Sequence, residues 1–522
     1  MENKENEVPS VKALSALPKT ITYEEAIEYT TVGKFHYILL FFCCMGLLAA
    51  VAELIGISVI IYAAQCDLKF SMQEKSLLAM SAALGTIFSL HITGFICDTW
   101  GRIKTLKVTL ILNICSSLLS AFSINTWMLI GLRFLAGIFS TGCQCCVFSF
   151  LGEFLPDVSR RRHMTILATM VPVSILFINL MAFLILPLKL TDYIASFSPW
   201  RALLLVNNIP SIIALVGFLF LPESPKFLLA QGLYVEALDI LRSIFTKNTG
   251  KPKDSYPNGL IMLHEKATGL NNTKGFGEAV KLMGKQTLQL FHKKRILQTM
   301  NMSIIDLIVC IIGAGFTMWL PTVLSSFNDP SSEFLTVCDS IGLSKNHSSD
   351  ICSNPNGLET SHFKTLVFIA MILIFCFLIS SVAVGFMGRK IILVFWFSAG
   401  AISALIVYYT TDPIIKIVAL TLVSQVGKLS GIVSGIAADF YPTNINAMGI
   451  CFVNMMSRIG IMIGGNIAGR LFLNHCEITF FSYSGILFVV VLMTMMMPKE
   501  KVSKKVEEES VVKFEKIEIE RF

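Results

Sequence analysis

The sequence predicts an all-α membrane protein of twelve spanning helices, arranged as two pseudo-symmetric six-helix bundles. Three observations predict this class: an apolar composition, twelve apolar runs of spanning length, and an internal repeat. Of the 522 residues, 54% are hydrophobic and only 15% are charged, and the mean hydropathy is +0.69. A soluble chain of this size could not cover so much apolar surface with so few charges. The lipid bilayer is therefore expected to surround much of the chain.

The apolar runs have the length that a membrane-crossing helix needs, about 20 residues each. Backbone groups in lipid must form hydrogen bonds within their own segment, so runs of this length are helices and not the shorter, alternating strands of a barrel. The predicted spans are 35–64, 77–97, 103–124, 127–150, 164–188, 202–221, 296–325, 363–386, 391–410, 413–437, 447–472 and 477–497.

Basic residues concentrate in alternate loops, which sets the expected orientation. Arg102, Lys104, Arg160, Arg389 and the Lys-rich stretch 222–295 fall on one side. The positive-inside rule assigns that side to the cytoplasm and does not suggest nucleic-acid binding. The predicted organisation is a cytoplasmic N-terminal tail 1–34, a first bundle 35–221, a cytoplasmic linker 222–295, a second bundle 296–497 with an outer loop 326–362, and a cytoplasmic C-terminal tail 498–522.

Two amphipathic helices are expected within the cytoplasmic linker. The first lies near 233–246, where Leu238, Leu241 and Phe245 share one face, and the second lies near 276–292. This spacing is typical of helices that pack one side against a neighbouring surface, so the linker is not predicted to be an enzyme domain.

The outer loop carries the chemistry expected of an oxidising compartment. Most of the 14 Cys lie in apolar runs and are interpreted as small buried side chains, without the paired CxxC motifs of a metal site. Cys338 and Cys352 lie instead in the polar loop and are candidates for a disulfide. Asn346 begins an Asn-His-Ser sequon, which is either glycosylated or unused.

Two short motifs recur at nearly one offset, which predicts related halves. Gly101-Arg102 follows the second span and Gly388-Arg389 follows the eighth, with the arginines 287 positions apart. The Glu153-Phe-Leu-Pro stretch follows the fourth span and Asp439-Phe-Tyr-Pro follows the tenth, with the acids 286 apart. Matching spacing in equivalent loops indicates a duplicated six-helix unit.

The first of these motifs resembles a known family signature. The stretch from Gly94 to Lys104 resembles the motif between helices two and three of major-facilitator transporters. The resemblance implies the major-facilitator fold, with a central cavity near the bilayer midplane. It also implies a conformational gate in which Asp98 accepts from basic groups or a helix N-terminus. The gate candidates are Gly94, Asp98, Gly101, Arg102, Lys104, Glu153, Arg389 and Asp439.

Other motifs narrow the resemblance to one branch. Trp200-Arg201 and Pro222-Glu-Ser-Pro-Lys226 resemble the sugar-porter, organic-ion and synaptic vesicle glycoprotein 2 branches. The Asn248–Pro257 stretch resembles the cytoplasmic linker of synaptic vesicle glycoprotein 2 and its insect relatives. The short loops 65–76 and 326–362 depart from the organic-ion branch and from the neuronal vesicle proteins, respectively. The chain therefore resembles an insect-type relative.

Ionisable groups inside spans are functional hypotheses by default, because burying a charge in lipid is costly. Glu53 is the candidate for proton or cation coupling, with a structural pair to Arg133 or Arg458 as the equal alternative. Lys428 and Arg458 would favour an anionic or zwitterionic solute, unless they form structural pairs with Asp306 or Glu53. The substrate and coupling candidates are Glu53, Arg133, Asp306, Trp319, Lys428, Asn454 and Arg458.

Aromatic and glycine residues add two structural expectations. Phe316, Trp319 and Pro321 in the seventh span suggest an aromatic gate over a helix break, or an interfacial aromatic belt for Trp319. Gly460 and Gly464 in the eleventh span are four apart, which favours close helix packing.

These features predict secondary transport of a small organic solute by alternating access. No Walker loop, GxSxG or HExxH motif occurs, so neither an enzyme nor a bound cofactor is predicted. The expected protein is a monomer in the plasma membrane or an intracellular vesicle membrane. The alternative is a membrane receptor or vesicle-trafficking protein that uses the same fold without transport.

Overall fold

A computed structural model describes residues 20–188, 198–257, 260–262, eight positions between 277 and 293, 295–325, 335–340, 361–440 and 443–497. The two strands are β1 (Thr20–Thr22) and β2 (Leu260–Met262). The helices are α1 (Tyr23–Tyr29), α2 (Lys34–Ile55), α3 (Ile57–Ala63), α4 (Gln65–Leu68), α5 (Met72–Trp100), α6 (Arg102–Ala121), α7 (Thr126–Glu153), α8 (Asp157–Ala168), α9 (Met170–Ile185), α10 (Pro199–Asn207), α11 (Ile209–Phe220), α12 (Pro225–Ala230), α13 (Tyr234–Thr249), α14 (Ile296–Val309), α15 (Gly315–Ser325), α16 (Ser361–Met387), α17 (Arg389–Tyr409), α18 (Pro413–Val426), α19 (Ser430–Phe440), α20 (Thr443–Asn474) and α21 (Cys476–Met495).

The helices account for the predicted spans. Ten helical segments of the described chain are long and apolar enough to cross a membrane. The remaining two predicted spans, 77–97 and 447–472, lie inside the long helices α5 and α20. The prediction of an all-α, multi-pass membrane protein is confirmed.

Local sequence explains where several of these helices begin. Ser71 and Glu74 form a reciprocal capping box at the start of α5, and Asp412 accepts from two backbone amides at the start of α18. Gly101 and Gly388 precede α6 and α17 with φ of +113° and +82°, a region that side chains disfavour. The repeated glycine therefore makes the same turn in both copies of the motif.

Two spans are interrupted by non-α segments. A π-helical turn, Cys310–Ala314, separates α14 from α15, and a 3₁₀ turn, Gly427–Leu429, separates α18 from α19. The break predicted in the seventh span is present, but it precedes Pro321, which lies inside α15. Mid-helix breaks of this kind are frequent at functional sites.

The described residues fall into two compact units. The first lies within Met1–Val280 and Ser349–Ile374, and the second within Lys281–Ser348 and Phe375–Phe522. The core of the first unit is a cluster from α2, α6, α7 and α11 that includes Leu39, Phe150 and Phe218. Burial of these apolar side chains holds the helices of that unit together.

The first part of the linker forms a small module with the N-terminal segment. β1 pairs in parallel with β2, and α1 packs with α12 and α13 around Ile27, Leu241 and Phe245. Leu238 is partly buried against the same cluster, so the amphipathic helix predicted near 233–246 is confirmed as α13. The second predicted helix, 276–292, lies largely outside the described residues. From the sequence, residues 20–29 were expected to belong to the N-terminal tail, and neither β1 nor α1 was predicted.

Candidate functional site

A buried ion pair lies within the first unit. The Arg133 guanidinium on α7 contacts the Glu53 carboxylate on α2 at 2.5 Å, from Nη1 to Oε1. Glu53 is 5% exposed and Arg133 is 2% exposed. Sequence reasoning left Arg133 and Arg458 as alternative partners of Glu53, and the structure pairs it with Arg133.

Hydroxyl and amide groups complete this pair. Ser117 on α6 donates to Glu53 Oε2 at 3.2 Å and accepts from Arg133 Nη2 at 3.1 Å. Ser120, one turn later, accepts from Arg133 Nε at 3.2 Å. Asn208, between α10 and α11, donates to the Ser117 hydroxyl at 3.0 Å. Each charge in this network has both an opposite charge and neutral partners, which is the condition for burying charge at tolerable cost. We call these five residues the closed network.

A second group of ionisable residues lies within the second unit, beside the two helix breaks. Lys428 is in the 3₁₀ turn, and its ammonium donates to Thr317 Oγ1 at 3.4 Å. The Thr317 hydroxyl donates in turn to Gly313 O in the π turn, at 2.7 Å. Within the described residues Lys428 forms no salt bridge. The residue as a whole is partly exposed.

Asp306 brings a carboxylate to the same region. Asp306 on α14 is 0% exposed, and neither of its oxygens has a hydrogen-bonding partner of good geometry among the described residues. The Ser430 hydroxyl and the Arg458 guanidinium are near enough to act on this carboxylate. Cys310, one turn after Asp306, lies within electrostatic reach of Asp306, Arg458 and Lys428. The three charged groups therefore converge on one thiol at the start of the π turn.

Neutral polar side chains extend the group. Gln425, near the end of α18, is 1% exposed, and neither atom of its amide has a partner among the described residues. The Ser303 hydroxyl, one turn before Asp306, is likewise buried without a partner. Asn454, one turn before Arg458 on α20, accepts from the Ser434 hydroxyl at 2.8 Å. We call Asp306, Gln425, Lys428 and Arg458 the open cluster.

Glycines permit the close approach on which the open cluster depends. A Cβ on Gly313 would overlap the backbone nitrogen of Gly427, so the π and 3₁₀ turns meet backbone to backbone. A Cβ on Gly460 or Gly464 would overlap the carbonyl oxygens of Leu307 or Ile311. The packing role predicted for the eleventh-span glycines is confirmed.

Trp319 does not form part of an interfacial aromatic belt. Its indole is 6% exposed, and Nε1 donates to the Gly465 carbonyl at 2.6 Å. The belt interpretation is wrong because the glycine-rich face of α20 leaves room for the ring inside the second unit. Trp319 fixes α15 against α20 and does not contact the open cluster through any described hydrogen bond.

The predicted gate residues of the first copy surround the start of α6. Arg102 contacts Glu153 at 3.1 Å and stacks on the Phe227 ring at 4.9 Å. Glu223 accepts from the backbone amides of Arg102 and Ile103 at 3.0 and 3.1 Å, which caps α6. Lys104 is exposed.

The remaining gate candidates contribute less to this picture. Gly94 lies in α5 with open space beside it. In the second copy, Arg389 Nη1 donates to the Gly435 carbonyl at 2.9 Å. The side chains of Asp98 and Asp439 lie outside the described residues, so the acid proposed as the latch is not located.

The N-terminal segment is attached to this gate region. The Tyr23 hydroxyl donates to the Glu153 carbonyl at 2.6 Å, and Glu24 contacts Arg160 at 3.3 Å. Burial holds the pKa of Tyr23 well above its ordinary value of 10, so the hydroxyl remains a donor at physiological pH. The Tyr256 hydroxyl donates to Ala26 O at 2.6 Å and secures the same segment to the linker.

The disulfide prediction is wrong in its partner. Cys338 is bonded to Cys476 at the start of α21, with a Cα–Cα distance of 5.5 Å. Sequence proximity favoured Cys352, but the fold brings Cys338 to a residue 138 positions away. Cys66 is also disulfide-bonded. Cys352 and Asn346, with its predicted glycosylation, lie outside the described residues. Within the part of the chain that is described, no three His, Cys, Asp or Glu side chains group as a metal site would require.

Comparison with known proteins shows the family to which the chain belongs. Residues 46–337, more than half of the chain, match the family described as "Sugar (and other) transporter". The chain belongs to this family. The predicted membership of the major facilitator superfamily, near synaptic vesicle glycoprotein 2, is thereby confirmed.

Individual relatives agree with this placement. Synaptic vesicle glycoprotein 2B of Homo sapiens is 30% identical over 232 residues, which are 43% of this chain and 34% of that protein. The putative transporter svop-1 of Caenorhabditis elegans is 23% identical over 449 residues, 85% of this chain and 79% of its own. The chain thus matches about a third of the length of the vesicle glycoproteins. The xylose transporter XylE from E. coli, in a partially occluded inward-open conformation, superposes with a TM-score of 0.64 at 14% identity, over 90% of this chain and 99% of its own, which shows a shared fold.

Several residues of the site could not be found by inspecting charges alone. Ser117, Asn208 and Gln425 are neutral and lie in spans with many other small polar residues. Glu223 was noted only as part of a family motif. Its carboxylate caps the N-terminus of α6, which is distant in sequence, and negative charge is favourable at a helix N-terminus. The polar residues gain meaning only when the fold shows which of them are buried together.

Proposed function

We propose that the protein is a secondary transporter that moves a small organic solute by alternating access. The observation that carries the proposal is the presence of charged groups deep inside both units, because buried charge in membrane helices is costly and marks solute or ion pathways. Family membership supports the same conclusion, and so do the helix breaks beside Lys428, since discontinuous helices commonly form transporter binding sites.

The closed network is proposed as the coupling site. Glu53 can alternate between an ion pair with Arg133 and a protonated form that retains the hydrogen bond with Ser117. A carboxyl that exchanges its proton inside a membrane unit links solute movement to a proton gradient. Cation coupling of the same carboxylate is the corresponding alternative.

The solute is proposed to be anionic or zwitterionic. Lys428 and Arg458 supply two positive charges to the open cluster, and Asp306 supplies one negative charge. An anion entering this cluster would be stabilised by a partly desolvated ammonium. A neutral solute would leave that charge without a counterpart.

The orientation proposed from the basic loops has independent support. Arg102, Arg160 and Arg389 fall on the side assigned to the cytoplasm, together with both termini. Cys66, Cys338 and Cys476 flank the opposite ends of the spans, and their disulfides fit an oxidising exterior or vesicle lumen. The plasma membrane and an intracellular vesicle membrane both satisfy this arrangement, and a monomer is proposed.

The test is uptake into proteoliposomes from a defined metabolite mixture, read by mass spectrometry with and without an inward proton gradient. The wild type should accumulate at least one solute, and the gradient should increase it. Glu53→Gln should abolish the gradient effect, while Glu236→Gln on the exposed face of α13 serves as the matched control. Accumulation of no solute would instead favour the receptor or trafficking alternative, and an unchanged gradient effect in Glu53→Gln would remove Glu53 from coupling.

A further inference from the structure

The open cluster and the neighbouring Ser303 contain buried polar atoms that have no hydrogen-bonding partner of good geometry among the described residues. They are both oxygens of Asp306, the Ser303 hydroxyl, and the donor and acceptor of the Gln425 amide. Buried polar groups almost always have hydrogen-bonding partners, because leaving them without one costs free energy. Five such atoms lie on α14 and α18, the two helices that lead into the π turn and the 3₁₀ turn that meet at Gly313 and Gly427, and they point to groups of a ligand as their partners.

The positions of these residues define one site. Ser303 and Asp306 are three apart and therefore share a face of α14. Gln425 precedes the 3₁₀ turn that carries Lys428, and that turn contacts the π turn at Gly313 and Gly427. Asp306 and Lys428 both lie within electrostatic reach of Cys310, which connects the two helices' polar groups.

The charges of the site select the sign of the ligand. Arg458 acts on Asp306, so these two opposite charges offset one another. Lys428 has only the Thr317 hydroxyl as a hydrogen-bonding partner among the described residues. The cluster therefore carries one excess positive charge, which a carboxylate would neutralise. A zwitterion would bring a second ammonium into a cluster that is already positive.

The hydrogen-bonding groups of the site indicate which polar groups the ligand has besides its carboxylate. The Gln425 amide offers both a donor and an acceptor, and a hydroxyl can donate to one and accept from the other. The Asp306 carboxylate accepts only, and a hydroxyl can donate to it. An alkyl carboxylate would leave these atoms unsatisfied, and a neutral polyol would leave Lys428 without its counter-charge.

We propose that the second unit binds a small hydroxylated carboxylate, whose carboxylate pairs with Lys428 and whose hydroxyls bond to Gln425 and Asp306. This assignment rests on the transport function proposed above, because it names the chemical class of the solute. Gln425 is the residue that distinguishes hydroxylated from plain carboxylates, and Lys428 is the residue that distinguishes acids from neutral polyols.

Three probes separate the two requirements. Gluconate carries both the charge and the hydroxyls, sorbitol carries hydroxyls alone, and hexanoate carries the charge alone. Binding to the purified full-length protein is measured by calorimetry in one detergent. Gluconate should bind at least about tenfold more tightly than either of the other two, since each lacks at least one hydrogen-bonded or charged contact.

Variants assign each preference to its residue. Lys428→Gln should remove the preference for gluconate over sorbitol, and Lys428→Arg should retain most of it. Gln425→Leu should remove the preference for gluconate over hexanoate. Lys416→Gln is the matched control, because Lys416 is a buried lysine of α18 whose ammonium already donates to the Leu335 carbonyl at 2.6 Å; both preferences should survive this change.

The outcomes distinguish this proposal from the transport function. Equal binding of gluconate and hexanoate, or of gluconate and sorbitol, would overturn the assigned class. The class would also be overturned if proteoliposomes accumulated other solutes from the metabolite mixture but no hydroxylated carboxylate, while transport itself would stand. Absence of all accumulation, together with gluconate binding, would overturn transport and leave the binding site.

Discussion

The two units treat buried charge in opposite ways. In the first unit Glu53 and Arg133 neutralise each other, and the Ser117 and Ser120 hydroxyls form hydrogen bonds with the pair. In the second unit Lys428 lies in a 3₁₀ turn and Asp306 lies one turn before a π turn, and among the described residues neither the Asp306 carboxylate nor the Gln425 amide has a hydrogen-bonding partner of good geometry. A pair of charges that neutralise each other suits an internal switch, whereas a charge and polar groups without such partners among the described residues suit the reversible binding of a solute.

The largest expected effect comes from breaking the closed network. Arg133→Met leaves the Glu53 carboxylate buried without its counter-charge, and the free energy of unfolding should fall by about 3–5 kcal/mol. Lys428→Met removes a charge that has no acidic partner among the described residues, so its loss should be well under half as large. Denaturant unfolding of both variants in the same detergent makes the comparison.

The double variant Glu53→Gln/Arg133→Met is the control for that experiment. It removes both charges, so it should recover most of the stability lost in Arg133→Met. Equal losses in Arg133→Met and Lys428→Met would show that the two units do not differ in the way described.

A second comparison uses glycine contacts in the two units. A Cβ on Gly137 would overlap Ala82 O at the crossing of α5 and α7, and a Cβ on Gly313 would overlap Gly427 at the helix breaks. Alanine at either position should lower stability by about 1–3 kcal/mol through overpacking. Only Gly313→Ala should also weaken gluconate binding, because it displaces the turn that carries Lys428.

Gly431, which has open space beside it on α19, provides the control. Gly431→Ala should leave stability unchanged or slightly higher, as expected for alanine in a helix. If Gly137→Ala weakened gluconate binding as much as Gly313→Ala, the ligand site could not be assigned to the second unit alone.

The cap at the start of α6 should have a smaller effect. Glu223→Gln removes the negative charge that accepts from the amides of Arg102 and Ile103, and about 1 kcal/mol of stability should be lost. Glu236→Gln on the exposed face of α13 should cost nothing measurable. Thermal-shift measurements give the melting temperatures of both variants. Identical melting temperatures would contradict the capping role of Glu223.

The smallest effect should come from the N-terminal attachment. Tyr23→Phe removes one buried hydrogen bond to Glu153 O, worth about 1 kcal/mol. Since the folded-state pKa of Tyr23 is raised above 10, its stabilisation is fully present below pH 10 and is lost as pH rises through the folded value. Wild type should therefore lose stability above pH 10 more steeply than Tyr23→Phe, and parallel alkaline unfolding curves would contradict this.

Features that depend on one segment could be predicted from the sequence. The spanning helices, the amphipathic helix α13 and the glycine packing of α20 follow from composition and periodicity within a single run. Glu53, Arg133, Asp306 and Lys428 could be selected as candidates because charge inside an apolar run is conspicuous.

Features that depend on contacts between distant segments could not be predicted from the sequence. The Cys338–Cys476 bond joins residues far apart in the chain, and the pairing with Cys352 was favoured only because that residue is near. An interfacial belt was one of two interpretations of Trp319 because its sequence position is near a span end, but the indole is buried and donates to a carbonyl of α20. Gln425 and Asn208 resemble other polar residues until the fold shows what lies around them.

The most direct test of the division between the two units compares Glu53→Gln with Lys428→Gln in gluconate-loaded proteoliposomes. One measurement, counterflow of labelled gluconate with and without a proton gradient, reads binding and coupling together. Glu53→Gln should keep exchange and lose the response to the gradient, whereas Lys428→Gln should lose exchange under both conditions. Retained exchange in Lys428→Gln together with lost exchange in Glu53→Gln would contradict the account.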